Sequence, residues 1–510
     1  MRKFLSMILG LALIAACFAF PAVAEEAPYV ITVLAPFYAE QPPVGTTGDE
    51  GNPVLEAAEA LGNVDLQITW APQGDYVSKF NTIMASADLP MVLITTSGLT
   101  TNQTYLDYSQ QGVFWDLTDE INSRPLFKDE LTTPYALTVS AVGGRSYLFP
   151  FVVSSARVAM LYRADWLEAL NMEVPTTAAE FYEMAKAFTE NDPDGNGVKD
   201  TYGFAYIDDA NKELTYAGFD TLAVALGAPN RWGYSEADGK IMPYFTFPEY
   251  LETLNLFKDM FDNSYMNNDF ALIKGNDKHL PLGEGKAGAM FTTATNGAYP
   301  GGKYDALITN VTPTARIERQ YLLTTPSGVA GVNSTLSVGG MGGMLLPKAS
   351  VKSEEDVSKV LDFYEKLLDK DQGAILLALG VEDLHYTKNA DGTISVSPEQ
   401  RQMRIDDGSS EVFASTTPRR VVSPDYGQPR SQNELITAEF VANEPYAVPD
   451  LSVGKLDPDA LSLDASIATI ISDARVQYIM GQIDEAGFQS AVADWIAQGG
   501  DSLIEAVNAE

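Results

Sequence analysis

Cysteine is almost absent from this chain. Cys17 is the only one, and it lies in the N-terminal apolar run. The rest of the sequence therefore has no disulfide, no thiol nucleophile and no cysteine metal site. Histidine is nearly as scarce: His279 and His385 are the only two, both in polar sequence surroundings. A His-based triad or a zinc cluster is not the expected chemistry. Basic charge is thin as well, with 33 Lys and Arg against 69 Asp and Glu and a formal net charge of −36. Such a surface repels nucleic acid and anionic lipid, so no nucleic-acid partner is expected. The HExxH, G-x-S-x-G and GxxxxGK[ST] patterns do not occur. No repeat and no low-complexity stalk is present, which sets aside a surface-array protein.

The long apolar run that does exist comes first. Arg2 and Lys3 precede Phe4 to Phe20, and Ala22-Val23-Ala24 forms an A-x-A cleavage site. Residues 1–24 are expected to be a secretory signal peptide, with export leaving Glu25 at the N-terminus. Ile14-Ala15-Ala16-Cys17 also resembles a lipobox, whose cysteine would carry a lipid anchor; the apolar Phe18 to Ala24 that follows argues for the first reading. No later stretch is long and apolar enough to span a bilayer.

The most informative stretch is Tyr162 to Gly203. Val174-Pro175-Thr176-Thr177 breaks one helix, and Thr177 with Glu180 three residues on makes a capping box for the next. Phe181, Met184, Ala185 and Phe188 keep the three-and-four spacing of one buried face. A loop follows with oxygen side chains on alternate residues: Asp192, Asp194, Asn196 and Asp200, with Val198 offering a carbonyl and Gly197 the bend. This alternation suits a hard cation, so structural Ca²⁺ is expected on Asp192, Asp194, Asn196, Val198 and Asp200. The bidentate Glu of an EF-hand loop is missing, because Gly203 sits at its position. Its place would fall to Thr201, water or a residue from elsewhere.

At the start of the mature chain, strands at Tyr29–Ala35, Asp65–Trp70 and Met91–Thr95 alternate with helices at Pro53–Leu61 and Tyr76–Ala87. That order reads as a parallel sheet, whose ligands bind beyond the carboxyl ends of the strands. Phe37, Tyr38, Trp70, Thr95 and Ser97 stand at those ends. The GxGxxG at Gly283–Gly288 precedes a strand, where a dinucleotide fold needs it after one, so no such cofactor is expected. Helices are expected at Glu249–Phe261, at Ser353–Leu367, and twice near the C-terminus, on Ile467 to Tyr478 and on Phe488 to Ile496.

Tyr-Arg-x-Asp-Trp-Leu from Tyr162, the Pro-Thr-Thr helix start and the Asp-Pro-Asp-Gly-Asn-Gly loop resemble the extracellular solute-binding proteins of bacterial ABC importers, above all the large oligosaccharide- and lipoprotein-type group. Weaker similarity runs through Tyr76–Pro90, Gly112–Leu117, Gly285–Phe291 and Ile479–Gly500. The resemblance implies an α/β, two-lobed, periplasmic-binding-protein-like (type II) clamp. Lobe I would comprise 27–152 plus 288–345, and lobe II 153–287 plus 346–510. The chain would cross at Gly143–Arg157, at Gly283–Gly288 and at Gly339–Gly343. It also implies a monomeric, non-enzymatic protein that delivers a carbohydrate, an oligosaccharide first, to permease subunits in the membrane. Candidate ligand contacts are Phe37, Tyr38, Trp70, Thr95, Ser97, Phe151, Arg157, Arg231, Trp232, Asn296, Tyr299 and Tyr426. Trp232 reads as lying in a polar turn, free to stack on a sugar ring. The alternative is a secreted glycoside hydrolase, because two suitably spaced carboxylates are invisible in a sequence this acidic.

Overall fold

The computed structural model describes residues 27–37, 41–47, 51–86, 88–95, 103–127, 141–142, 144–150, 156–208, 218–273, 275–294, 297, 304, 306–321, 323–324, 330–333, 343–369, 373–390, 394–409, 412–413, 439, 442–453 and 455–509. In chain order, two large sheets draw on β1 (Tyr29–Phe37), β2 (Val64–Pro72), β3 (Val92–Thr95), β4 (Phe149–Pro150), β5 (Val158–Arg163), β6 (Tyr202–Phe204), β7 (Ala287–Thr293), β8 (Ile317–Gln320) and β9 (Gly343–Leu345). The first sheet has the order β2-β1-β3-β9-β4 and the second β8-β5-β7-β6.

In the first sheet β1 runs parallel to β2 from Tyr29 opposite Val64 to Phe37 opposite Pro72, and parallel to β3. This is the parallel sheet expected from the alternating strands and helices. β9 returns antiparallel, with Gly343 opposite both Thr95 and Pro150. A side chain at 343 would put its Cβ 2.4 Å from the Phe149 carbonyl oxygen, so the two strands lie this close only because the residue is glycine. Helices Pro53–Gly62 and Glu354–Leu368 cover one face of this sheet through Val54, Leu55, Ala58, Val357, Val360, Leu361, Phe363 and Leu367.

The second sheet is built around β7, which is buried along Ala287 to Thr292 and paired on both sides. Helix Ala178–Glu190 lies on it with Phe181, Met184, Ala185 and Phe188 inward, the face expected from the sequence. Thr177 and Glu180 form the capping box. The close approach depends on two glycines. A Cβ at Gly203 would meet the Ala185 backbone at 2.2 Å, and one at Gly288 the Phe188 ring at 2.1 Å. Helices Pro248–Asp262, Pro458–Ile479 and Glu485–Trp495 complete this core.

The expected division of the chain therefore needs correction at two places. The strand at 287–293 was assigned to the first lobe from residue 288, but it is central to the second sheet. Its apolar run is buried on both faces and needs a neighbour on each side. Residues 346–413, assigned to the second lobe, pack with the first: Val351, Val360, Phe363, Val412 and Phe413 share the core of β1 and β3. The Gly283–Gly288 turn is thus internal to the second lobe. The chain passes between the sheets after Pro150, between Gln320 and Gly343, and once more beyond Phe413.

Candidate ligand cleft and acidic loop

Strand direction decides which ends meet. In the first sheet the carboxyl ends of β1, β2 and β3 share an edge with Pro150, where the chain leaves, and with Gly343, where it returns. In the second sheet the start of β5, the end of β7 and the end of β8 share an edge with the arriving and departing chain. The crossings join these two edges.

Phe37 stands half-buried on the first edge. Trp70 is half-buried against the first core, and its Nε1 is buried without a hydrogen-bond partner. Thr95 is buried and its hydroxyl donates to the Gly343 carbonyl at 3.3 Å, so it serves the sheet. Arg157 is half-buried at the start of β5, where its carbonyl accepts from the Ala294 N–H at 3.0 Å. Tyr38, Ser97, Phe151, Asn296, Tyr299 and Tyr426 lie outside the described residues.

Trp232 corrects an expectation. It begins a short strand, Trp232–Ser235, is 7 % exposed, and packs in the second core with its ring 6.4 Å from that of Trp495. The flanking Asn230, Arg231 and Gly233 look like a polar turn, yet Trp495, against which the ring packs, comes from distant sequence. Its faces are spent on Trp495 and the core instead of a sugar.

Arg231, its neighbour, is in a different position. Its backbone is left-handed, with φ +65°, a rare conformation for a residue with a side chain. Its carbonyl accepts from the Tyr244 N–H, and the Tyr244 hydroxyl donates to Asp220 at 3.1 Å. Arg231, Asp220 and Tyr244 are enclosed by protein atoms yet still touched by solvent, as at the floor of a depression. Burial works against the Arg231 charge, but Asp450, Asp464, Tyr244 and Asp220 outweigh it and hold its pKa above the usual value. Asp450 is pushed up to about 6 by burial, against the pull of Arg231 and hydrogen bonds from Ser452. Burial also raises Asp220, against Arg475 and Arg231.

Beside them Arg475 grips Asp208 through two hydrogen bonds of 2.8 and 2.6 Å, and Tyr206 donates to the same carboxylate at 2.9 Å. The guanidinium lies 5.0 Å over the Phe219 ring. Sequence reasoning missed Asp208, Asp220, Tyr244, Asp450, Asp464 and Arg475. One signal was available: Arg475 follows Ile467 and Ile471 at four-residue steps on an otherwise apolar helix stripe, where a charge implies a buried partner.

The acidic loop folds back on itself. Asn196 Nδ2 donates to Asp194 at 2.9 Å and to Asp200 at 3.2 Å, while its Oδ1 accepts from the Val198 N–H at 2.7 Å. Asp192 Oδ2 accepts from the Gly197 N–H at 2.9 Å, and its Oδ1 is buried with no hydrogen-bond partner among the described residues. The Asp194 carboxyl is raised above its usual pKa by burial first, then by Asp192 and Asp200. Among the described residues no group of three or more His, Cys, Asp or Glu side chains is placed to hold a metal ion. The donor set nonetheless fits a hard cation: an orphaned carboxylate oxygen and crowded like charges, with an amide N–H where a cation would bridge two of them.

Both histidines are buried, in contrast to their polar sequence neighbours. His279 Nδ1 meets the Tyr304 hydroxyl at 2.6 Å. His385 Nδ1 accepts from the Val381 N–H at 2.9 Å, which leaves Nε2–H to donate to Asp407 at 2.8 Å. The pair locks a turn in the first lobe.

Two α/β lobes joined by several chain crossings define the two-lobed fold of a solute-binding protein. The chain belongs to the bacterial extracellular solute-binding proteins, whose family model matches residues 46–374. It is 29 % identical to lipoprotein LipO of Bacillus subtilis, over 94 % of this chain and 91 % of the relative. It is 28 % identical to the polygalacturonan/rhamnogalacturonan-binding protein YtcQ of the same organism, over 92 % and 89 %. Among solved structures, the Streptococcus pneumoniae ABC-transporter substrate-binding protein FusA, an EF-hand mutant in complex with fructo-nystose, matches with a TM-score of 0.66 at 17 % identity. That match covers 94 % of this chain and 98 % of the other. Among the described residues no helix is long and apolar enough to cross a membrane.

Proposed function

We propose that this protein is the extracytoplasmic substrate-binding component of an ABC importer. It captures an oligosaccharide between its lobes and hands it to a membrane permease. The observation that carries this reading is the solvent-touched Arg231–Tyr244–Asp220 group on a chain that crosses between two sheets at their strand-end edges. Donors and an acceptor grouped beside aromatic rings suit sugar hydroxyls. The relatives YtcQ, a polygalacturonan/rhamnogalacturonan-binding protein, and FusA, a substrate-binding protein solved with a fructo-oligosaccharide, support it. Of the candidate contacts among the described residues, the first lobe offers Phe37 and Trp70 and the second Arg157 and Arg231. Closure is a hinge motion driven by contacts that the ligand makes with both lobes.

The test is a thermal-shift and calorimetry screen of neutral and acidic oligosaccharides, with reducing-end release measured on the same samples. Binding without release is expected. Release of new ends by the purified protein would favour a glycosidase and sink the transport reading.

The acidic loop is proposed to hold one Ca²⁺ through Asp192, Asp194, Asn196, Asp200 and the Val198 carbonyl, an assignment that the printed EF-hand of FusA supports. When bound, the ion neutralises the carboxylates and pins the loop to the helix before it. The amide of Asn196 would have to turn its oxygen inward, giving up its bond to Val198. Export is proposed to leave Glu25 at the N-terminus. Mass spectrometry of secreted protein decides this, and a lipid-bearing Cys17, as the name of LipO suggests, would overturn it.

A further inference from the structure

Which kind of sugar the second lobe takes is carried by the Arg231–Asp220 depression. Among the described residues Arg231 makes no direct ion pair or side-chain hydrogen bond, although the charges of Asp450, Asp464 and Asp220 all reach it. Against the described residues its five N–H donors are uncommitted, and its left-handed backbone is the kind of strain that concentrates at ligand sites. Among the described residues Asp220 receives one hydrogen bond, from Tyr244, which leaves its second oxygen as an acceptor. The Arg231 carbonyl is tied to the Tyr244 N–H, so guanidinium, phenol and carboxylate stand on one linked frame. Arg475 is not free to join them, because Asp208 takes its forked donors.

Charge then discriminates between ligands. Four carboxylates, of Asp208, Asp220, Asp450 and Asp464, face two guanidinium groups, of Arg231 and Arg475. An incoming carboxylate would satisfy Arg231 but give Asp220 no donor, and it would enter a field that is already negative. A hydroxyl both accepts and donates, so neighbouring hydroxyls match the pair.

We propose that Asp220 and Arg231 together take adjacent hydroxyl groups of an uncharged sugar ring, and that this position on the second lobe disfavours a uronate. This rests on the carbohydrate reading above. The test is calorimetry of the full mature chain with neutral fructo-, gluco-, manno- and galacto-tetrasaccharides and with tetragalacturonate. At least one neutral tetrasaccharide should bind more tightly than tetragalacturonate. Raising salt from about 0.05 to about 0.5 M should leave its affinity within about twofold. Asp220→Asn keeps an acceptor for Tyr244 but removes the charge, and should weaken neutral binding by about tenfold or more. Arg231→Gly relieves the left-handed backbone but takes a counterion from Asp450 and Asp220, so with folding verified by circular dichroism, binding should still fall by a similar factor. A merely structural arginine would lose stability and leave affinity unchanged. Tetragalacturonate binding tightest, with affinity falling as salt rises, overturns the inference, as do both variants binding like wild type. A wild-type protein that binds no carbohydrate overturns the carbohydrate reading along with it.

Discussion

Carboxylates gather at two places in the second lobe, and the protein treats them in opposite ways. In one, around Arg231 and Arg475, the charges of Asp208, Asp220, Asp450 and Asp464 are answered from within the chain. In the 192–200 loop, Asp192, Asp194 and Asp200 crowd together with no arginine or lysine in any ion pair with them among the described residues. Buried charge is tolerated where the fold supplies its own counterion, and exposed like charges are grouped where an external one can enter. The first place is suited to recognition through fixed dipoles, the second to recruitment of an ion.

The comparison breaks most visibly at Arg475. Arg475→Ala leaves Asp208, whose side chain is fully buried, without its partner, and should destabilise the protein by about 3–5 kcal/mol in a denaturant titration. Replacing both partners with apolar residues of similar volume should cost far less. An Arg475→Ala protein as stable as wild type would show that Asp208 is not held as a charge.

The next effect belongs to the loop. At calcium 100-fold above its dissociation constant, bound ion should stabilise the fold by about 2.7 kcal/mol, so a chelator should lower the melting temperature. Asp194→Ala should lower it without chelator and make the protein indifferent to calcium. Melting curves that ignore both chelator and added calcium would remove the ion from the account.

Asp450 sharpens the difference through pH. Its folded pKa, about 6, lies above the ordinary carboxylate value of 3.8. A raised acid stabilises the fold when protonated, so its contribution is complete below the unfolded value and is lost as pH rises through about 6. Asp450→Asn mimics the protonated form and keeps an acceptor for Ser452. It should stabilise the protein at pH 7 by about 1–3 kcal/mol, an advantage that shrinks as pH falls toward 4. A gap independent of pH would mean that Asp450 does not titrate in this range. The smallest effect is expected where the loop is anchored: Thr177→Ala removes the cap of the 178–190 helix at a cost of about 1 kcal/mol. Calcium response should persist in that variant.

What could be read from the sequence follows from how local its cause is. The capping box at Thr177, the apolar face of Phe181 to Phe188 and the parallel β1–β3 unit are set by residues within a few positions of each other, and the structure has them where expected. The lobe boundaries were misplaced because a glycine-rich turn at 283–288 looks the same whether it leads to a crossing or to a central strand. Only the pairing of β7 with both β5 and β6 decides it. Trp232 and the histidines misled for a related reason: polar neighbours in sequence say nothing about what a distant helix brings, such as Trp495 or Asp407. The Asp208–Arg475 pair spans 267 positions, beyond any local pattern.

The pairing of Gly343 with Pro150 has a mechanical consequence. One crossing leaves the first sheet at the position where another returns, and on the second sheet β5 and β8 likewise lie side by side at Met160 and Gln320. Both crossings are thus anchored at neighbouring strand ends on each sheet, so a displacement of one anchor is carried to the other through paired backbone before it reaches the rest of the lobe.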